Sequence, residues 1–140
     1  MATTLEVYRC EKTKATVEVI KTNGIQPEGN HPKDKHTLTY HGRTLECITP
    51  ETAEGAAEKH LPVATFEGDR LVVKVGDVMH PMTSEHLIEW VAVVYDNFVQ
   101  HGTLCSEEAP QISFHVGNAS NVDVYSYCNL HGLWKTTAKR

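Results

Sequence analysis

Cys128-Asn129-Leu130-His131-Gly132 sets a thiol and an imidazole two residues apart, so that one loop can offer both to a single metal ion. Gly132 permits the tight backbone turn that such a loop needs. Taken alone the pair is a weak signal, because C-x-x-H arises often by chance. Three upstream histidines give it weight. His60 stands two residues before Pro62, and His80 and His86 fall within Val78-Met79-His80-Pro81-Met82-Thr83-Ser84-Glu85-His86. Pro81 fixes a turn at His80, and two imidazoles six positions apart across that turn can face a common point. Each histidine by itself is accounted for as a polar loop residue. Together with Cys128 and His131 they can complete a site that C-x-x-H cannot.

The rest of the composition narrows what such a site would serve. A chain of 140 residues can form one domain with a full core and a small appendage. A net charge of −5 leaves no basic stripe to displace counterions from phosphates, which argues against a nucleic-acid binder. Lys135, Lys139 and Arg140 read as a short solvated tail. No apolar run approaches the roughly 20 residues of a membrane helix. Residues 1–6 carry neither a basic region nor an apolar block, so no secretory signal is read and a cytoplasmic setting with reduced thiols is expected. Cys10, Cys47, Cys105 and Cys128 are scattered without any C-x-x-C, unlike a disulfide framework or a four-thiolate site. Nine histidines are many for this length, although His31, His36 and His101 lie in polar contexts.

The elements that would position the donors are mostly strands. Leu5, Val7, Val17 and Val19 around a polar middle predict a hairpin over residues 5–20. Residues 21–37 are rich in Gly, Pro, Asn, Lys and His and read as a long connector. Thr37 to Ile48 is β-prone, with a turn at His41-Gly42-Arg43. Thr49 suits a helix cap, Pro50 its first position, and Glu51 and Glu54 the positive end of its dipole, so a short helix is expected there. Pro62 prevents its continuation and places His60 where helix gives way to strand. Beyond it, Leu71, Val73 and Val75 alternate, as do Ile112, Phe114 and Val116, and Val122 with Val124. Leu87 to Tyr95 is apolar on both faces, as in the centre of a sandwich. Turns are expected at Glu67-Gly68-Asp69, His101-Gly102 and Gly117-Asn118. The pattern predicts an all-β chain, an immunoglobulin-like antiparallel β-sandwich with a small N-terminal β segment.

Three separated motifs carry a family resemblance. Glu58-Lys59-His60-Leu61-Pro62, His80-Pro81-Met82 through Glu85-His86-Leu87-Ile88-Glu89-Trp90, and Cys128 through Lys135 resemble, in order, the iron-binding motifs of superoxide reductases, also called desulfoferrodoxins or neelaredoxins. The resemblance covers residues from about 50 to 135 and implies one mononuclear non-haem iron. Its equatorial ligands would be His60, His80, His86 and His131, and its axial ligand the Cys128 thiolate. Leu61 stands where Val is more usual in the family, a small apolar change. Many relatives carry an N-terminal desulforedoxin-like module with a second iron on four cysteines. Here Cys10 alone remains of that set, and Tyr40-His41 stands where an adjacent cysteine pair would be. One cysteine cannot build a tetrahedral four-thiolate site. The expected organisation is therefore a metal-free remnant over residues 1–49 and an iron-binding sandwich over 50–140, with one iron per chain. Cys47 and Cys105 are expected to pack as small hydrophobes.

The same resemblance implies one-electron reduction of superoxide to hydrogen peroxide without dismutation. Four neutral imidazoles and one thiolate leave a ferrous ion net positive, which suits an anionic substrate. Lys59 would draw the anion in and order a proton-delivering water, and Glu58 would close the site in the oxidised resting state. Charges beyond about 8–10 Å are screened at physiological salt, so the local field outweighs the overall negative charge. Trp90 and Trp134 are expected to pack near the site, and Met82 to fill core or loop. A rubredoxin-like electron donor and a homo-oligomer, dimer or tetramer, are further implications. Two competing readings are a non-catalytic iron electron carrier with the same site and a binding module with a structural zinc. Zinc prefers four tetrahedral ligands, which five donor residues fit poorly.

Overall fold

The computed structural model describes residues 5–20, 37–50, 60–76 and 79–140. Two compact units are found, one within residues 4–49 and the other within 50–140. In the first, strand β1 (Val7–Arg9) lies between β2 (Thr16–Glu18) and β5 (Glu46–Ile48), with both pairings antiparallel. A minimal hairpin joins β3 (Thr39–Tyr40) to β4 (Arg43–Thr44). His41 and Gly42 form its two-residue turn, with φ of 52° and 76°. Two consecutive positive φ values match the right-handed twist of the flanking strands. Tyr8, Cys10 and Leu45 are buried together here, with Val17, Tyr40 and Cys47 packed against them.

Among its described residues the second unit holds seven strands in two sheets. One sheet has the order β10-β7-β6, from β6 (Pro62–Glu67), β7 (Arg70–Val75) and β10 (Gln111–His115). The other has the order β12-β11-β8-β9, from β8 (Ile88–Tyr95), β9 (Phe98–Thr103), β11 (Asn121–Cys128) and β12 (Gly132–Lys139). Every pairing is antiparallel, and the chain changes sheets after β7, after β9 and after β10. This is the expected immunoglobulin-like sandwich.

The period-2 alternation explains its core. In β7, Leu71, Val73 and Val75 are buried while Arg70 and Lys74 are exposed. They join Val91 and Val93 of β8, Phe114 of β10, and Val122 and Val124 of β11 in one cluster. Each such side chain contributes about 1.5–3 kcal/mol on leaving water. Val91 through Val94 are buried consecutively, because β8 is covered on both faces.

Several expectations are corrected. His101-Gly102 is no turn but part of β9, and the hairpin reverses at Asp96-Asn97, where Asp96 has φ of 50°. Gly102 is small for a packing reason: a Cβ there would lie 2.2 Å from Ile112 Cδ1 in the facing sheet. The basic end is no solvated tail. Lys135 and Lys139 belong to β12, and Lys135 Nζ stands 3.7 Å from Asp123 Oδ2. The Arg140 guanidinium donates to the carbonyls of Gly68, Gly117 and Ala119 at 2.7, 2.9 and 3.2 Å. Cys105 is exposed rather than packed, whereas Cys47 is half-buried. The expected short helix falls on residues 51–59, outside the described residues, apart from its first two positions. Among the described residues no helix is long and apolar enough to cross a membrane.

Candidate metal centre

Four pieces of the sandwich meet at one end of its larger sheet. His60 immediately precedes β6, and His80 and His86 lie on the segment entering β8. Cys128 ends β11, and His131 closes the turn into β12. Gly132, with φ of 86°, pairs across from Cys128 and lets that turn close. Where β11 meets β8 the register slips: Tyr127 faces Trp90 but Cys128 faces Ile88, leaving Glu89 as an extra residue.

The donors converge. His60, His80, His86 and Cys128 each offer one atom, and these four atoms lie within 4.8 Å of one another. His131 joins them, with Nδ1 2.9 Å from His60 Nε2 and 3.7 Å from Cys128 Sγ. Its ring centroid is 5.0 Å from that of His86. Two nitrogens at right angles around a shared ion, each about 2.1 Å from it, would stand about 3 Å apart. The His60–His131 separation matches that arrangement.

Burial and hydrogen bonding prepare the donors. His80 Nδ1 donates to the Pro81 carbonyl at 2.7 Å, so the lone pair sits on Nε2, which is buried without a hydrogen-bond partner. A buried imidazole nitrogen aimed among other donors is costly unless something binds it. Burial lowers the His80 pKa to about 4 against the opposing Pro81 bond, with neighbouring histidines adding to the fall, so the ring is a neutral ligand at pH 7. Cys128 is fully buried, and burial pushes its thiol pKa up; the Leu130 and His131 backbone N–H groups pull the other way. A bound cation would hold this sulfur as thiolate at neutral pH. Four imidazoles and a thiol are the donor set of a late transition metal, and the residues present fit iron.

Of the scaffold around the donors, Trp134 was expected near the site, while the roles of Ser126 and Thr83 escaped sequence reasoning. Ser126 is a fully buried polar residue between Tyr125 and Tyr127 of β11, and its hydroxyl donates to the His60 carbonyl at 2.9 Å. Trp134 stacks on His60 with centroids 5.0 Å apart and 14° between planes, while its Nε1–H donates to the His131 carbonyl at 3.1 Å. Thr83 Oγ1 accepts the His86 backbone N–H at 3.0 Å. A serine set between two tyrosines and followed by a cysteine was the one available signal, at Ser126. Met82 is core filler as expected, with Sδ 3.4 Å from the Ile88 nitrogen. Trp90 stacks on Tyr127. His131 and Leu130 are exposed, which gives the cluster an open side. Glu58 and Lys59 lie outside the described residues.

The Desulfoferrodoxin family model matches residues 52–137, which include all five donors. The chain belongs to the desulfoferrodoxin family. A desulfoferrodoxin of Clostridium acetobutylicum is 34% identical over 131 residues, covering 94% of each chain. Among solved structures, the superoxide reductase from Treponema pallidum is similar at a TM-score of 0.75 and 26% identity, over 95% of this chain and 98% of that one. The one-iron superoxide reductase of Giardia intestinalis is similar at a TM-score of 0.53 and 26% identity, over 59% of this chain and 99% of its own. These desulfoferrodoxin relatives thus include proteins named for reducing superoxide.

Proposed function

We propose that this desulfoferrodoxin is a superoxide reductase with one iron per chain, held by His60, His80, His86, His131 and Cys128. The observation that carries the reading is the convergence of four imidazoles and one thiol at a partly open site. Bound iron supplies the single electron that, with two protons, takes superoxide to hydrogen peroxide. The chain's residues do the rest. Neutral imidazoles leave the site net positive, so an anion is favoured there. Cys128 donates electron density, and the backbone N–H groups of Leu130 and His131 temper it. Exposed His131 and Leu130 leave a way in for a diatomic anion. Lys59, next to His60 in sequence, attracts superoxide and holds the water that passes protons on, and Glu58 closes the site when it is oxidised. A rubredoxin-like donor returns the electron. The unit within residues 4–49 carries no metal in this reading, since among the described residues the Cys10 cluster adds to apolar neighbours such as Tyr8 and Leu45 only one further thiol, Cys47, short of a four-thiolate set.

The test is stopped-flow reaction of the reduced iron protein with superoxide, with peroxide and dioxygen both quantified. One peroxide per superoxide and no dioxygen is expected, with Lys59→Ala slower by 10-fold or more and its visible spectrum unchanged. Dioxygen release would mark dismutation, and no reaction at all would leave an electron carrier. A wild-type rate in Lys59→Ala would remove Lys59 from the account.

A further inference from the structure

We propose that Asn129 is the positioning residue that fixes the Cys128 sulfur against the His86 imidazole, an inference that rests on the metal-site reading above. Regular pairing between β11 and β8 ends at Cys128 and Ile88. Past that rung the backbone must turn away so that His131 can join the cluster and β12 can begin. Asn129 continues the ladder by other means. Its backbone N–H donates to the Leu87 carbonyl at 3.2 Å. Its side-chain Oδ1 accepts the Leu87 N–H at 3.1 Å, and its Nδ2 donates to the Glu85 carbonyl at 2.9 Å. The carboxamide acts as a surrogate peptide unit, offering one acceptor and one donor where the strand itself has left.

These three bonds fall on Glu85 and Leu87, the two neighbours of His86, and so bracket that ligand from both sides. On its other flank the His86 backbone is held by Thr83. Cys128 and His86 are distant in sequence, and Asn129 adjoins the sulfur-bearing residue directly. The orientation of the amide is set by its partners, because a flipped group would oppose N–H to N–H and oxygen to oxygen. Few side chains could substitute. Aspartate keeps the acceptor for Leu87 but turns an oxygen toward the Glu85 carbonyl, and leucine keeps only the volume. Outer hydrogen bonds of this kind orient ligands and tune the metal.

The experiment uses the full chain as wild type, Asn129→Leu and Asn129→Asp, titrated with cobalt(II) against a competing chelator, with the thiolate-to-cobalt absorption recorded. Asn129→Leu should lose about 10–100-fold in affinity and shift the sulfur band. Asn129→Asp should also bind more weakly and absorb at a shifted wavelength. If Asn129→Leu does not fold, the aspartate variant decides on the same two readouts. A role in folding alone would lower the unfolding temperature and leave affinity and band as in wild type, which would overturn the proposal. Wild-type protein that takes up no cobalt would overturn the metal-site reading and this proposal with it. Wild-type binding with unchanged variants would overturn the proposal alone.

Discussion

Each unit of the molecule contains a cysteine followed by a loop that turns its backbone toward the sulfur. In Cys10-Glu11-Lys12-Thr13, the Thr13 N–H lies 3.5 Å from Sγ, and hydrogen bonds from Thr13 lower the thiol pKa. In Cys128-Asn129-Leu130-His131, the Leu130 and His131 N–H groups face the sulfur, yet burial leaves the pKa raised. By hydrogen bonding alone the first loop is the better prepared to hold a thiolate. The second has what the first lacks among the described residues: imidazoles delivered by two other segments of chain, His60 from one and His80 and His86 from the other. Around Cys10 the described neighbours are Tyr8, Leu45, Val17, Val19, Leu38, Tyr40 and Cys47, one further thiol among side chains that pack rather than ligate. A cysteine turn is a local product of sequence, and a metal centre is a product of the fold.

Exchanging the two sulfurs should break the comparison most visibly. Cys128→Ser is expected to abolish the thiolate-to-iron absorption of the oxidised protein, while Cys10→Ser leaves it intact. Loss of the band in Cys10→Ser would show that the comparison is drawn the wrong way round. Metal removal should come next in size. A ligand present at 1,000 times its Kd stabilises the state that binds it by about 4 kcal/mol. Chelation should therefore accelerate amide exchange in β8 and β11 and leave β1 and β5 unchanged. Equal acceleration in both units would contradict a metal confined to the sandwich.

Acidity should separate the units further once the metal is gone. His80 has a folded-state pKa of about 4 against an ordinary 6.5, so the unfolded chain takes up a proton that the fold refuses. The stability it provides is present above pH 6.5 and is lost as pH falls from there toward 4. Urea unfolding of the apo sandwich should show a falling midpoint across that window, with the fall reduced in His80→Gln. A slope that His80→Gln leaves untouched would place the proton elsewhere.

The smallest effects concern two glycines that look alike in sequence. Gly102→Ala should cost about 1–3 kcal/mol by pressing on Ile112, and Ile112→Val should recover part of it. Gly42→Ala should cost about 1–2 kcal/mol through its positive φ, with open space around it and nothing for a second substitution to relieve. Thermal unfolding of the double variant decides whether Gly102 is a packing glycine.

These glycines also mark what the sequence could reveal. The residues that converge were readable because their local spacing is tight and prolines stand beside His60 and His80. Strands β7, β10 and β11 were readable from strict alternation. His101-Gly102 was misread because a glycine serves turns and close contacts alike, and the contact comes from Ile112 in another sheet. The basic end was misread because Thr and Lys dilute the apolar pattern of β12. Arg140 finds its carbonyl partners near Gly68 and Gly117, far along the chain. Asn129 and Ser126 were missed for the same reason. Their partners, Leu87 and His60, stand 42 and 66 positions away.

The central claim, one metal centre built by the sandwich and none by the N-terminal unit, is tested most directly by metal analysis of iron-reconstituted protein. That analysis should be joined to the visible spectrum of its oxidised form. One iron per chain with a sulfur-to-iron band that depends on Cys128 is the predicted result. Two irons per chain, or bound iron without that band, would contradict it.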